Sequence, residues 1–302
     1  MYILKPITIN KIWGGKKLLD YGGNKAISKI GLIYSVSCEK NNSNEILNGN
    51  FKGQTLLNVW NSNKNKFGYS KFDKFPLIIS FIDAHEDLSL QVHPDDEYAI
   101  KNKISPFGKE ESWVFLDTLE KQKIILGCAI NSIETIKKNI KENKWEDILN
   151  YLPVKKMDYV NVKPGTLHAL TSGSLVYEIQ QATDITYRFY DYNRITKEGK
   201  KRELHLSKAL EVLKPKLKSK PISFKENKII KEKYYSLQLT TLNNNIIHII
   251  HNKNDVFACY TVIDGELIIE NVLVTKGMSF ILMPKEKCSA LGKAKLIMSY
   301  PN

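Results

Sequence analysis

The sequence has few cysteines and lacks a long hydrophobic run. Its four cysteines are spread singly along 302 residues, at Cys38, Cys128, Cys259 and Cys288. This spacing disfavours a disulfide framework and a thiolate-rich zinc site. The longest apolar run, at residues 76–82, is far shorter than the ~20 residues that a membrane span needs. The N-terminal residues also lack the apolar segment and cleavage site of a signal peptide. We therefore expect a cytoplasmic protein with reduced thiols and no membrane partner.

The chain is strongly basic, but its charge is dispersed. There are 45 lysines and arginines against 32 acidic residues, which gives a formal net charge of +13. Many of the basic residues lie in lysine- and asparagine-rich segments such as 61–74, without the aromatic stacking ladder of a nucleic-acid binder. This pattern predicts no nucleic-acid partner. A positive field nevertheless favours small anionic ligands.

Short β-prone runs recur along the chain between glycine, asparagine, lysine and proline residues. They predict an all-β protein, mainly antiparallel, with helical insertions. One insertion is expected at about residues 131–150, because Asn131 and Glu134 fit a capping box and isoleucines at 133, 136 and 140 share one helical face. A second helix is expected at 206–213.

A lysine-rich, proline-flanked segment at 214–220 marks the expected domain boundary. Residues 1–220 would form a catalytic domain with the helical insertion, and residues 221–302 would form a second β domain. In that second domain, Asp264-Gly265 predicts a tight hairpin turn. His248 and His251 are three residues apart, which places them on opposite faces of a strand. We therefore expect the second domain to hold no metal.

Two histidines and a carboxylate stand in a pattern that suits a divalent metal. Gln91 and His93 alternate on one face of a predicted strand. Glu111 opens the next predicted strand, and His168 follows a Pro-Gly turn that could bring a third strand to the same place. Such a set, with room left for water, is typical of a catalytic zinc or non-haem iron centre. Taken singly, each histidine is more often an ordinary polar residue of a loop.

Four longer motifs contain these residues. They are Gln91-Val92-His93-Pro94-Asp95-Asp96, Gly108-Lys109-Glu110-Glu111-Ser112-Trp113, Pro164-Gly165-Thr166-Leu167-His168 and the run from Glu178 to Arg188. Their order and spacing resemble those of type I mannose-6-phosphate isomerases in the short bacterial form. The resemblance covers about residues 1–214, and the last third of the chain matches loosely. It implies two jelly-roll β domains of the cupin type and an isomerase of carbohydrate metabolism.

The resemblance also implies a cofactor and a substrate. One zinc ion per chain would be held by Gln91, His93, Glu111 and His168, with the amide of Gln91 the least usual ligand. The substrate would be a small sugar phosphate. The reaction would interconvert D-mannose 6-phosphate and D-fructose 6-phosphate by proton transfer through an enediol.

Three further residues are carried over from the family as catalytic candidates. Lys109 and Glu178 are the two candidates for the base that moves the proton. From the residues alone, Lys109 could equally be a solvated lysine, and Glu178 could face the wet side of its strand. Arg188 matches the active-site arginine of the family, and it would hold the phosphate or steady the enediolate with two parallel hydrogen bonds.

Two other functions use similar residues and stay open at this point. An iron-dependent cupin oxygenase would need the same kind of metal cage. A non-catalytic cupin could bind a sugar phosphate without turnover, because one fold hosts many chemistries. The oligomeric state is also open.

Overall fold

The computed structural model describes residues 1–69, 71, 73–196 and 199–302. As the sequence predicted, it is mainly antiparallel β structure with helical insertions. The strands are β1 (Tyr2–Leu4), β2 (Ile7–Gly15), β3 (Ile30–Val36), β4 (Cys38–Glu39), β5 (Asn42–Ser43), β6 (Leu77–Asp83), β7 (Leu90–Val92), β8 (Glu111–Asp117), β9 (Lys123–Cys128), β10 (Leu149–Pro153), β11 (Asp158–Val162), β12 (His168–Ala169), β13 (Leu175–Gln181), β14 (Tyr187–Tyr190), β15 (Ile222–Ser223), β16 (Ile229–Lys231), β17 (Tyr235–His251), β18 (Ala258–Ile269), β19 (Val272–Thr275), β20 (Ser279–Leu282) and β21 (Lys287–Pro301). The α-helices are α1 (Leu56–Asn63), α2 (Asp96–Lys101), α3 (Ile133–Lys141) and α4 (Leu206–Val212). Of the helices in the described ranges, none is long and apolar enough to cross a membrane.

The chain divides by its contacts into two compact units. The first unit contains Met1–Lys11, Lys16–Ile82 and Phe224–Asn302, and the second contains Ile12–Gly15 and Asp83–Ser223. The second unit ends close to the boundary expected at residue 220, whereas most of residues 1–82 group with the C-terminal strands. A proline-flanked linker leaves a local signal in the sequence. Strand pairing between the two ends of the chain leaves no local signal, so the grouping of residues 1–82 with the C-terminal strands could not be predicted.

The first unit is built on one large sheet. Its strands pair in the order β1-β20-β18-β21-β17-β16, with β19 added to β18. The core on this sheet contains Ile3, Val262, Phe280 and Leu296, all buried. β1 therefore brings the N-terminus into a sheet made otherwise of strands that follow residue 228.

The prediction of a tight turn at Asp264-Gly265 is wrong. β18 runs through both residues, and the chain reverses at Glu270 and Asn271, whose φ angles are 49° and 62°. Gly265 has a φ of 74° and lies beside a register shift in the pairing of β18 with β21. The primed types of hairpin turn and the G1 type of β-bulge both use a positive φ, which glycine adopts freely. The Asp-Gly pair therefore correctly indicated a positive φ, but Gly265 lies within a strand, beside a register shift, and not in a turn.

The second unit contains two sheets and the candidate site. One sheet has the order β10-β9-β12-β7-β14, and four strands of the other pair in the order β15-β11-β8-β13. Helices α3 and α4 cover one face of the first sheet, where Leu90 and Val92 pack in a core with Ile136 and Ala209. The alternation along β7 therefore leaves Gln91 on the face away from the helices.

The helical insertion expected at about residues 131–150 is divided into a helix and a 3-10 turn. α3 ends at Lys141, a 3-10 turn follows at Glu146–Ile148, and β10 begins at Leu149. Ser132, rather than Asn131, caps α3, because its hydroxyl accepts a hydrogen bond from the backbone N–H of Thr135 at 3.2 Å. The expected helix at 206–213 is confirmed as α4.

Candidate metal centre

One face of the five-stranded sheet carries three polar side chains in a row. His168 on β12 and Arg188 on β14 both pair with Gln91 on β7. Residues directly opposite each other in an antiparallel pair point to the same face of the sheet. Their sequence neighbours pack in the core on the helix side. The sheet thus presents Gln91, His168 and Arg188 together on its other face.

The second sheet contributes Glu111, the first residue of β8. Trp113 lies two residues further along β8, and Glu178 lies opposite Trp113 on β13, so the three side chains share one face. The indole Nε1 of Trp113 donates to Oε1 of Glu178 at 3.1 Å, and the indole ring meets the His168 ring with centroids 5.6 Å apart. Sequence analysis assigned no role to Trp113, although its spacing from Glu111 was a usable signal. The two sheets therefore face each other across the site.

His93, Glu111 and His168 converge on one point. Nε2 of His93 lies 3.3 Å from Oε2 of Glu111, and Nε2 of His168 lies 3.2 Å from Oε1 of the same carboxylate. The potential ligand atoms of the three residues all lie within 4.8 Å of one another. Each side chain is about 1% exposed or less. Three buried groups from separate segments thus form a closed cluster.

Backbone carbonyls orient both imidazole rings. Nδ1 of His93 lies 2.8 Å from the carbonyl oxygen of Ile185, and Nδ1 of His168 lies 2.8 Å from that of Thr166. A carbonyl oxygen only accepts, so each Nδ1 must carry the hydrogen and donate it. This leaves each Nε2 without a hydrogen, so that its lone pair is available on the side of the ring near Glu111. A hydrogen bond from the second ring nitrogen is the usual support of a metal-binding histidine.

The charges of the cluster favour a cation at its centre. Burial, and then the positive charge of Lys109, lower the pKa of His93 to about 3, so this ring is neutral at neutral pH. Burial opposes ionisation of Glu111, but Lys109 and the two histidines outweigh it and hold the pKa of that carboxyl well below its ordinary value. Among the described residues, neither Nε2 of His93 nor Oε1 of Glu111 meets a hydrogen-bond donor. Buried acceptors that face one another in this way fit a divalent metal.

Gln91 lies at the edge of this cluster. Its Nε2 is 3.3 Å from Nε2 of His168. Rotation of the amide by 180° would bring Oε1, which can act as a ligand, to the same place. The structure therefore brings together all four residues that the sequence suggested as ligands.

Lys109 lies in the loop before β8. Its Nζ is 3.0 Å from Oε2 of Glu111, and the lysine is only 7% exposed. The alternative of a solvated lysine is therefore wrong. Glu178 is also buried, on the face that carries Glu111, so it does not lie on a wet side of the sheet. Both candidates for the base lie in the same interior as the metal cluster.

All three arginines of the chain lie between residues 188 and 202. Arg202 donates to both carboxylate oxygens of Asp191, with Nε 2.7 Å from Oδ2, and Nη2 of Arg194 donates to Oδ1 at 2.5 Å. Nη1 of Arg188 donates to the carbonyl oxygen of Glu203 at 2.6 Å. Burial and the neighbouring Arg202 lower the pKa of Arg188 from its ordinary value. Two guanidinium groups thus hold the carboxylate of Asp191, and Arg188 lies near enough to feel the charges of Arg202, Asp191 and Glu203.

The fold and the site together define a metal-site protein of the cupin type, with two histidines and a glutamate in a β-sandwich. Residues 1–111 match the model of the catalytic domain of phosphomannose isomerase type I. The chain is 41% identical to the probable mannose-6-phosphate isomerase GmuF of Bacillus subtilis over 211 residues, which are 70% of this chain and 67% of that protein. The chain belongs to the type I phosphomannose isomerases. The predictions of this family and of an isomerase are therefore confirmed.

Solved structures agree with this assignment. The crystal structure of the mannose 6-phosphate isomerase from Bacillus subtilis superimposes with a TM-score of 0.88 and 31% identity, covering 99% of both chains. A mutant phosphomannose isomerase from Salmonella typhimurium shares the fold, with a TM-score of 0.73, 14% identity and coverage of 100% of this chain and 99% of that one. The predicted cupin-type fold is thereby confirmed, including the part of the chain after residue 214 whose sequence matches loosely.

Proposed function

We propose that the protein is a zinc-dependent isomerase that interconverts D-mannose 6-phosphate and D-fructose 6-phosphate through an enediol. The supporting observation is the buried convergence of His93, Glu111 and His168, with both imidazole rings held by backbone carbonyls. Two histidines, a carboxylate and an amide oxygen are ligands that zinc accepts. The chemistry needs no change of redox state, which favours zinc over iron.

Gln91, His93, Glu111 and His168 would hold the metal. When bound, a divalent ion supplies Lewis-acid stabilisation of the negative charge that develops on the substrate oxygens. The surrounding side chains exclude water, since each of the three clustered ligands is buried. In such a dry interior, fixed charges act more strongly than they do in water.

Lys109 and Glu178 are the groups that could move the proton between C1 and C2. Lys109 reaches into the cluster through its ion pair with Glu111. Glu178 is held from the other side by the indole N–H of Trp113. A base must lie within hydrogen-bond reach of the proton that it removes. Both residues are buried, Lys109 beside Glu111 and Glu178 on the strand face that carries Glu111. Glu178 could accept the proton as a carboxylate, whereas Lys109 could accept it only after its ammonium has given up a proton to become the neutral amine.

Removal of the metal tests this function directly. We expect dialysis against a chelator to abolish the isomerisation of mannose 6-phosphate in a coupled assay, and one equivalent of zinc per chain to restore it. The restored activity should be the same without oxygen, whereas an iron-dependent oxygenase would need dioxygen. Full activity of a metal-free preparation would contradict the proposal. Tight binding of the substrate without turnover by the zinc-loaded protein would instead support a non-catalytic binding protein.

Substitution of Arg188 tests its contact with the substrate. Arg188→Lys keeps the charge but loses the two parallel hydrogen bonds, and Arg188→Ala loses both. Because charge-assisted hydrogen bonds contribute roughly 1.5 to 3 kcal/mol each, we expect kcat/KM to fall at least about tenfold for the lysine variant and further for the alanine variant. A higher KM alone would indicate the phosphate, and a lower kcat alone would indicate the enediolate.

The control for Arg188 is Lys293→Ala, which removes one positive charge from an exposed position on β21. Its kcat/KM should equal that of the unmodified protein. Unchanged kinetics in Arg188→Ala would refute the assignment. Loss of zinc or of the folded state in that variant would show that Arg188 serves the structure instead.

A further inference from the structure

We propose that Gln181 and Asp96 are positioning residues that set the backbone of Lys109. This inference rests on the proposed function, because it gives Lys109 a part in proton transfer. Neither residue is one of the four proposed metal ligands. Their role follows from a set of hydrogen bonds around the loop of residues 108–110.

Gln181 extends the pairing of β8 and β13 by one residue. The two strands pair as far as Glu111 and Gln180. Beyond this point the backbone N–H of Gln181 donates to the carbonyl oxygen of Glu110 at 3.1 Å, and Oε1 of Gln181 accepts from the backbone N–H of Glu110 at 2.8 Å. The side-chain amide takes the place of the next backbone group in the ladder. It therefore fixes the peptide that follows Lys109.

Asp96 fixes the peptide that precedes Gly108, one residue before Lys109. Its Oδ1 accepts from the backbone N–H of Gly108 at 2.8 Å and from Nε2 of Gln181 at 3.2 Å. Between these two points, the backbone N–H of Lys109 donates to the carbonyl oxygen of Pro94 at 3.0 Å. Three consecutive N–H groups, from Gly108 to Glu110, are thus held by acceptors outside the loop.

The loop and the segment after His93 are in direct contact. A Cβ on Gly108 would lie 2.4 Å from the carbonyl oxygen of Pro94 and 2.4 Å from the carbonyl carbon of Asp95. Only glycine allows this approach, since backbone atoms cannot yield as the end of a side chain can. The loop that carries Lys109 is therefore seated against the segment that carries His93.

The buried side-chain amide of Gln181 would act on Lys109 by fixing the position of the backbone. Gln181 is 3% exposed, and its two polar groups are both used. Fixing the peptides on either side of Lys109 leaves only the lysine side chain free to rotate, and its ammonium then meets Glu111 at 3.0 Å. Displacement of a reacting group by about 1 Å can cost on the order of 100-fold in rate. The hydrogen bonds of Gln181 and Asp96 thus control where the ammonium lies.

Gln181→Ala, Asp96→Ala and Asp96→Asn separate geometry from charge. Asparagine keeps an Oδ1 that can accept from both Gly108 and Gln181, but it carries no charge. We expect kcat to fall by about 10- to 100-fold in both alanine variants, with zinc content and KM unchanged. Asp96→Asn should retain kcat within about twofold, because its acceptor geometry is preserved. A loss in Asp96→Asn as large as that in Asp96→Ala would overturn the geometric role.

Gln122→Ala is the matched control. Gln122 is also a buried glutamine of the second unit, and its Nε2 donates to Thr171 Oγ1 and to the carbonyl oxygens of Lys123 and Ser172. This variant should lower thermal stability by an amount similar to Gln181→Ala while keeping kcat. If both glutamine variants lost kcat equally, the effect would be general destabilisation and the inference would be wrong.

A double-mutant cycle with Lys109→Ala links the effect to the lysine. If Gln181 acts through Lys109, adding Gln181→Ala to Lys109→Ala should change the residual kcat by less than about twofold. Multiplication of the two losses would overturn the inference while leaving the role of Lys109 intact. Normal kcat in Lys109→Ala alone would instead refute the proposed function of the lysine. The two failures are therefore distinguishable.

Discussion

Replacing His168 with alanine should remove the bound zinc and lower kcat/KM by at least about 1,000-fold. Lewis-acid stabilisation by a metal contributes several kcal/mol, and each 1.36 kcal/mol corresponds to about tenfold in rate. His168 is fully buried, and its Nε2 faces Glu111 while Nδ1 is held by Thr166. The two neighbouring side chains on this face of the sheet, Gln91 and Arg188, carry no imidazole that could replace it. Elemental analysis and the coupled isomerase assay measure the two losses together.

His248→Ala is the control for this experiment. His248 lies on β17 of the first unit, away from the cluster in sequence, and its Nε2 is 3.3 Å from the carbonyl oxygen of Asn244. That variant should keep one zinc per chain and full activity. Stoichiometric zinc in a folded His168→Ala variant would falsify the proposed ligand set.

Replacing Lys109 with alanine should lower kcat by about 100- to 10,000-fold, the range for loss of a positioned general acid or base. Zinc should remain bound, because Gln91, His93, Glu111 and His168 are unchanged. Lys109 is not one of the four proposed ligands, and its ammonium lies 3.0 Å from Oε2 of Glu111. Steady-state kinetics with metal analysis tests the expectation.

Hydrogen exchange in deuterated water distinguishes Lys109 from Glu178. If Lys109 removes the proton, Lys109→Ala should lose deuterium incorporation at C1 or C2 together with turnover, whereas Glu178→Gln should retain incorporation. The reverse pattern would assign the base to Glu178. Lys101→Ala, at an exposed position on α2, is the control for removal of a lysine charge. Wild-type kcat in Lys109→Ala would exclude any catalytic role for the lysine.

The alternation of side chains on strands made the site partly predictable. In Leu90-Gln91-Val92-His93, the apolar residues face the helices and Gln91 faces the site, as a period of two requires. The positions of Glu111 and His168 beside this strand could not be derived from spacing alone. They depend on pairing between strands far apart in the sequence, and the motif resemblance supplied what local periodicity lacks.

Backbone groups account for much of what the sequence did not reveal. The rings of His93 and His168 are oriented by carbonyls of Ile185 and Thr166, and every residue has a carbonyl. The backbone of Lys109 is likewise held by a carbonyl, that of Pro94, which accepts a hydrogen bond from its N–H. Such contacts depend on the path of the chain and not on side-chain identity. Residue types therefore indicated the ligands but not the supports that orient them.

All arginines of the protein lie within residues 188–202, so an arginine-specific reagent would label this segment selectively. Lysine-directed reagents would meet 42 side chains, the 45 basic residues less three arginines. An arginine-directed dicarbonyl such as phenylglyoxal would meet only the group around Asp191. Labelling stoichiometry measured by mass spectrometry, with and without mannose 6-phosphate, would therefore report on this one location, and no engineered tag would be needed to follow its occupancy.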